Sequence, residues 1–266
     1  KKFHFKAENL KLMSINLRII PRLDIRNNKL IKPFQLEGVK EIGDPETFAY
    51  NYYKQNADEI LIMDVVASLY SRNNKADIIK KISNKVLVPV IVGGGIRNLD
   101  DAEILFNSGA DKIALNTAVF DSPNLIKKLS KKYGSQSIVL SIEAKKNYNK
   151  NYWEALTNNG RDHSGYEIIK WAKKAIKLGI GEILLTSVDR DGTRKGFELE
   201  LIKYFVKNIK IPVIISGGMG RLEELKDIYN IREVNGISIG AMLHYKMSTI
   251  KKIKDYSKNI GFKIRA

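Results

Sequence analysis

Two acidic side chains stand where buried apolar strands should end. In "SIVLSIEA" the run Ile138 to Ile142 stops at Glu143, and in "RLDI" a similar run stops at Asp24. A charge carried to the mouth of a buried strand is costly unless something there pairs with it or uses it. Two carboxylates on opposite sides of a bound substrate can divide acid–base work, one giving a proton as the other takes one. Taken singly, either could instead be structural, bonding loop amides. Small residues follow other apolar runs: Gly94 and Gly95, Asn116 and Thr117, Ser216 with Gly217 and Gly218, and Gly240 with Ala241. They let backbone N–H groups approach an anion closely, which makes them candidate phosphate cradles. Glycine pairs also serve ordinary tight turns, so one pair says little. Two matched sets at one mouth point to a long substrate with a phosphate at each end. Thr186 and the "DRDGT" loop after it, carrying Asp191 and Gly192, adjoin the second set and are further candidate phosphate- or substrate-binding residues.

The elements that must position these residues alternate along the chain. Eight β-branched runs recur: "LRIIPRLDI", "DEILIMDVV", "VPVIVGGG", "DKIALN", "SIVLSIEA", "GEILLTSV", "IPVIISGG" and "NGISIGA". Most are separated by segments with helical apolar spacing, such as "DPETFAYNYYKQN", "LDDAEILFNSG" and "GYEIIKWAKKAIKLG". Near-continuous apolar strands alternating with amphipathic helices predict a parallel sheet covered by helices. Eight such units in about 250 residues fit an α/β fold of the closed (β/α)8 (TIM) barrel type. No GxGxxG turn follows the first strand, which counts against an open dinucleotide-binding sheet. The stretch from Val88 and the stretch from Ile211 both read strand, Gly-Gly, amphipathic helix, strand, small residues. Strands three and four thus recur as seven and eight, giving the barrel a two-fold half-barrel symmetry. Asp24 on strand one and Glu143 on strand five become mates, and in this fold carboxyl ends of strands carry chemistry.

Composition bounds the rest. The chain has 266 residues, no cysteine and a formal net charge of +17. Without cysteine, disulfides and thiolate metal sites are excluded, and a reducing, cytoplasmic setting fits. The positive excess is mostly lysine on apparent solvent faces of helices, with no aromatic-interleaved basic stripe, so no nucleic-acid partner is expected. No apolar run reaches the roughly 18 residues of a membrane span. His4, His163 and His244 lack metal-ligand spacing, and no metal or other cofactor is expected; His244 reads as a packed or hydrogen-bonded histidine. Residues 1–16 read as an amino-terminal extension, leaving 17–266 as one barrel domain.

From about Leu17 onward the chain resembles the cyclase subunit family of imidazole glycerol phosphate synthase, of histidine biosynthesis. The resemblance rests on "RIIPRLDI", "EGVKEIGDP", "ADEILIMDV", "VGGGIRNLDDAEILFNSGADKIALNTA", "KKYGSQSIVLSIEAKK", "GEILLTSVDRDGT" and "IPVIISGGMG", in order. It implies that Asp24 and Glu143 are the catalytic carboxylates and that Lys32 is the lysine of the flexible loop after strand one. It implies that the two cradles hold phosphates and that Asp191 and Gly192 belong to the substrate loop. The implied substrate is a bis-phosphate, phosphoribulosyl-formimino aminoimidazole carboxamide ribonucleotide, and the implied partner is a glutaminase (amidotransferase) subunit in a heterodimer that supplies ammonia. Arg18, Glu59, Lys112 and Glu182 lie at strand starts, in "LRII", "DEIL", "DKIA" and "GEIL". They are ordinary surface charges or, on the resemblance, the ring that gates an ammonia channel.

The sequence also departs from the family at the mouth. Glu143 stands in place of an aspartate, and Arg22 in place of a small residue. Pro33-Phe34 replaces the usual glycine, and "DVVASLYSRNN" is bulkier after strand two. Two alternatives therefore stay open: a paralogue that uses ammonia to amidinate a nucleotide-linked sugar for surface polysaccharide, and a phosphoribosyl-formimino isomerase of the same fold, which would not need the charged ring.

Overall fold

The computed structural model describes residues 16–65, 75–231 and 233–265. Eight parallel strands form the barrel: β1 (Asn16–Arg26), β2 (Ile60–Asp64), β3 (Val90–Gly93), β4 (Lys112–Leu115), β5 (Ile138–Asn147), β6 (Glu182–Ser187), β7 (Val213–Ser216) and β8 (Gly236–Ile239). Each pairs in parallel with its neighbours in sequence, and β8 pairs with β1, so the ring is closed. The expected (β/α)8 barrel is therefore the fold. Most of the extension lies outside the described residues, and Asn16 already belongs to β1.

Period-two alternation sorts β1 into two faces. Leu17, Ile19, Leu23 and Ile25 point outward into the core shared with the helices. Arg18, Ile20, Arg22 and Asp24 are the alternate, inward positions. Ile20 joins Leu61, Met63, Ile91, Ala114, Val139, Leu184 and Ile214 in a separate apolar layer inside the barrel. Each of its larger side chains taken from water stabilises the fold by about 1.5–3 kcal/mol, which makes this layer a packed collar with polar groups above and below it. The helix Pro45–Lys54 shows how the outer ring is started: Asp44 accepts from the Thr47 amide at 2.8 Å, and proline occupies the first helical position.

Sequence periodicity did not reveal two antiparallel hairpins that grow from the barrel mouth. One comprises Lys29–Phe34 and Glu37–Gly43 and continues β1; the other comprises Tyr152–Thr157 and Asp162–Glu167 and continues β5. The segment "GYE", read as the start of a helix, ends the second hairpin, and the helix begins at Ile168. The hairpins occupy equivalent places in the two halves. Asp24 pairs in register with Ile31 and Glu143 with Leu156, so each carboxylate sits where a barrel strand becomes a hairpin arm. The tips meet above the mouth. Leu36 packs with Leu156 and Val188, Asn159 Nδ2 donates to the Leu36 carbonyl at 3.1 Å, and the Gln35 amide donates to the Asp191 carbonyl at 2.8 Å.

Candidate active site

In the ring β1 and β5 are diametrically opposed, which places Asp24 and Glu143 on opposite walls of the mouth. Both are buried, yet their surroundings differ. Asp24 lies between two cations. Arg22 Nε donates to Oδ1 at 2.8 Å and Lys32 Nζ donates to Oδ2 at 3.1 Å. Burial alone would raise its pKa, but Arg22 and Lys32 together hold the carboxyl down at about 2. Among the described residues no such cation contacts Glu143. It accepts from the Gly160 amide and, at 3.4 Å, from Asn116 Nδ2, while burial pushes it up to about 7, with Asp24 and Asp191 adding repulsion. Burial, not repulsion from Asp24 across the mouth, is the larger effect on Glu143. The two carboxyls are consequently unlike as acids. Glu143 exchanges a proton near neutrality, whereas Asp24 in this state is a fixed negative charge.

Lys32, on the first arm of the hairpin, bridges Asp24 to Asp191, whose Oδ2 lies 3.1 Å from Nζ. The Asp191 loop is thereby tied to the first hairpin. Proline at 33 stands beside this lysine, and Phe34 is left exposed. Arg22 was legible only as a departure from the family. Alternation from Asp24 could have shown that it faces inward, but not its partners, Thr186 Oγ1 at 3.2 Å and Ser216 Oγ at 3.4 Å. Thr186 is wholly buried and in contact with Arg22. His244 is held at both ring nitrogens, by Tyr52 Oη at 2.7 Å and the Arg22 carbonyl at 2.9 Å. Burial drives its pKa down to about 4, which makes it a neutral strut behind Arg22. The loop residues 66–74, expected to be bulky, lie outside the described residues.

The structure brings each predicted cradle together. Gly94, Gly95, Asn116 and Thr117 line a cavity of about 370 Å3, along with Arg97 and Glu143. Its floor includes Met63 and Ala114, members of the apolar collar. Asp191, Gly192, Ser216, Gly217, Gly218, Gly240 and Ala241 line the second, much tighter at about 20 Å3. The glycines are demanded by close approach. A Cβ on Gly94 would meet the Asp64 carbonyl at 2.2 Å, and one on its mate Gly217 would meet the Ser187 carbonyl at 2.9 Å. Both have positive φ, 92° and 99°. Asp64 ends β2 and Ser187 ends β6, so the same contact is made once in each half. The Asn116 side chain does not point a donor into the first cradle. Its Nδ2 is engaged by the Ser141 and Leu156 carbonyls, both at 3.1 Å, which makes it a brace for Glu143 and the second hairpin.

At the opposite end of the barrel the four predicted charges form a closed ring. Arg18 reaches Glu59 at 2.7 Å and Glu182 at 2.5 Å. Lys112 reaches the same two carboxylates at 3.2 and 2.8 Å. Positive and negative alternate, so the ring carries no net charge. Among the described residues no acidic, histidine or cysteine cluster could hold a metal, and no helix is long and apolar enough to cross a membrane.

Comparison with known proteins agrees with this architecture. Residues 18–249 match the family model described as histidine biosynthesis protein. Imidazole glycerol phosphate synthase subunit HisF of Legionella pneumophila is 53% identical over 209 residues, covering 79% of this chain and 98% of that protein. The subunit of the same name from Clostridium botulinum strain Okra is 40% identical over 94% of this chain and 99% of its own length. That from Pyrobaculum aerophilum is 40% identical over 95% of this chain and all of its own length. The chain belongs to the histidine biosynthesis protein family, among the cyclase subunits of imidazole glycerol phosphate synthase.

Proposed function

We propose that the chain uses ammonia from a glutaminase partner to convert phosphoribulosyl-formimino aminoimidazole carboxamide ribonucleotide to imidazole glycerol phosphate and aminoimidazole carboxamide ribonucleotide. One observation carries this reading: two opposed buried carboxyls, one clasped by Arg22 and Lys32 and the other facing no such cation among the described residues, flanked by two symmetry-related glycine cradles. The substrate's terminal phosphates lie on the cradles, which stretches it across the mouth and fixes its centre between Asp24 and Glu143. Glu143 gives and takes the proton, and Asp24, with Lys32, supports the charge that develops. Ammonia reaches the centre from below. The Arg18, Glu59, Lys112 and Glu182 ring closes the base, the collar lies above it, and Met63 and Ala114 of that collar open into the cavity of Glu143. An apolar route favours neutral NH3 over ammonium. A hollow of about 440 Å3, lined by Arg18, Pro89, Lys112, Glu182 and Pro212, offers the glutaminase a docking place at the ring.

Crystals soaked in phosphate should hold two anions at the mouth, near Gly95 and Asn116 and near Gly218 and Gly240. A single anion at the first cradle favours the second reading, amidination of a nucleotide-linked sugar. That reading draws on the inward Arg22 and on the tightness of the second cradle. For the gate, Lys112→Ala should lower glutamine-dependent turnover in the complex several-fold while leaving turnover on ammonium salts within about twofold. Truncation removes two of the four ring contacts but touches nothing at the mouth. Equal losses in both assays exclude the gate.

A further inference from the structure

The cyclase chemistry above gives Arg22 no task beyond neutralising Asp24, and Lys32 already does that at 3.1 Å. Along the inner face of β1 the side chains climb from Arg18 at the base, through Ile20 in the collar, to Arg22 and then Asp24. Arg22 is therefore the charged group immediately above the apolar layer. Its side chain is 2% exposed, and burying a guanidinium is costly unless its donors are used. Nε is used by Asp24, and Nη1 by Thr186 and Ser216. Nη2 is buried and has no acceptor among the described residues. Held by three residues on β1, β6 and β7, and with His244 bracing its carbonyl, the fork has little freedom to turn and find one. A buried nitrogen left in this way marks a place that a ligand completes.

The charge balance narrows what that ligand group is. Arg22 and Lys32 already face Asp24 and Asp191 in contact or through the network. Two cations against two anions leave no excess positive charge to recruit a further full anion, so a neutral acceptor fits best. A carbonyl oxygen of carboxamide type has the right character: a strong acceptor, uncharged, and planar like the guanidinium.

We propose that Arg22 is a specificity-determining residue, whose Nη2 donates to an amide carbonyl oxygen of the substrate at the inner end of the mouth. This rests on the reading of the mouth as the substrate site. The histidine precursor carries a carboxamide and an N-acetyl sugar carries an acetamide, so the two candidate substrates share the group that Arg22 reads.

Calorimetric binding without ammonia tests it, on the wild-type chain, Arg22→Lys and Arg22→Met. The first probe is the phosphoribulosyl-formimino ribonucleotide, and inorganic phosphate, which has no carbonyl, is the control. Expected is a ten- to hundredfold loss of precursor affinity in both variants, the usual scale for a charged hydrogen bond, with phosphate affinity held within about twofold. Arg22→Lys keeps the charge beside Asp24, so it separates loss of the fork from loss of folding. Precursor affinity unchanged in both variants overturns the proposal, and so does a parallel loss of phosphate binding. If the wild-type chain does not bind the precursor, the proposed function fails, and the same three proteins are titrated with a nucleoside-diphosphate N-acetylhexosamine. A ten- to hundredfold loss there sustains the role of Arg22; no loss, or no binding by the wild type, overturns it.

Discussion

Asp24→Asn should reduce turnover about a thousandfold or more and also weaken the fold. The substitution keeps the shape but removes the charge that faces Arg22 and Lys32. Lys32 retains Asp191, whereas Arg22 loses the carboxylate that its Nε contacts. Breaking a buried pair from one side costs about 3–5 kcal/mol, so thermal unfolding at neutral pH should shift down by many degrees. The pH dependence identifies the cause. A carboxyl held at about 2 contributes stability above its ordinary value near 4, and that contribution fades as pH falls toward 2. Wild type and variant should therefore melt far apart at pH 7 and close together near pH 2. Equal stability at pH 7 would show that the Arg22 pair contributes nothing net.

Glu143→Gln should have the opposite pairing of effects: about a hundredfold slower turnover and a more stable barrel. A glutamate pushed up to about 7 holds its proton in the folded chain after the unfolded chain has released it. Stability attributable to this residue is therefore intact below about 4.5 and declines as pH rises through 7, by about 3 kcal/mol in full. Glutamine resembles the protonated form and escapes that decline. Wild type and variant should unfold alike at pH 4 and separate by several degrees at pH 8, the variant higher. In turnover, kcat/KM at fixed free NH3 should fall above about pH 7 in the wild type if protonated Glu143 is the acid. A variant with unchanged rate makes Glu143 structural. Glu143→Asp tests fit: the shorter chain withdraws the carboxyl by about 1 Å, enough to cost roughly a hundredfold if the pocket is shaped for glutamate.

Much of this arrangement was legible because parallel barrel strands are buried on both faces and announce themselves as short β-branched runs. All eight did so. Asp24, Glu143 and the glycine pairs stood out because each interrupts or ends such a run, and the repeat supplied the symmetry. The hairpins escaped because their arms, "KLIKPF" and "YWEALT" among them, lie beyond the barrel and carry charged residues, Lys32 and Glu154, at buried positions, which breaks the apolar signature. Their turns were the available signal. Asn27-Asn28 and Asn158-Asn159-Gly160 take positive φ, as asparagine and glycine do in tight hairpins. Arg22 shows a different limit. Alternation places it inside, but only three-dimensional closure of the barrel brings Thr186 and Ser216, more than 160 positions away, against its guanidinium.

The tip of the first hairpin behaves as a cocked latch. Gln35 and Leu36 are both in the left-handed region, at φ 50° and 63°, where a side chain costs about 1–2 kcal/mol per residue. What offsets that load is local: the Gln35 amide on the Asp191 carbonyl, the Asn159 amide on the Leu36 carbonyl, and Leu36 tucked against Leu156 and Val188. Asp191 also holds Lys32 by its side chain. The Asp191 loop is therefore a common mooring: its backbone holds the strained tip and its side chain holds Lys32, so the latch and the charged cluster stand on one support.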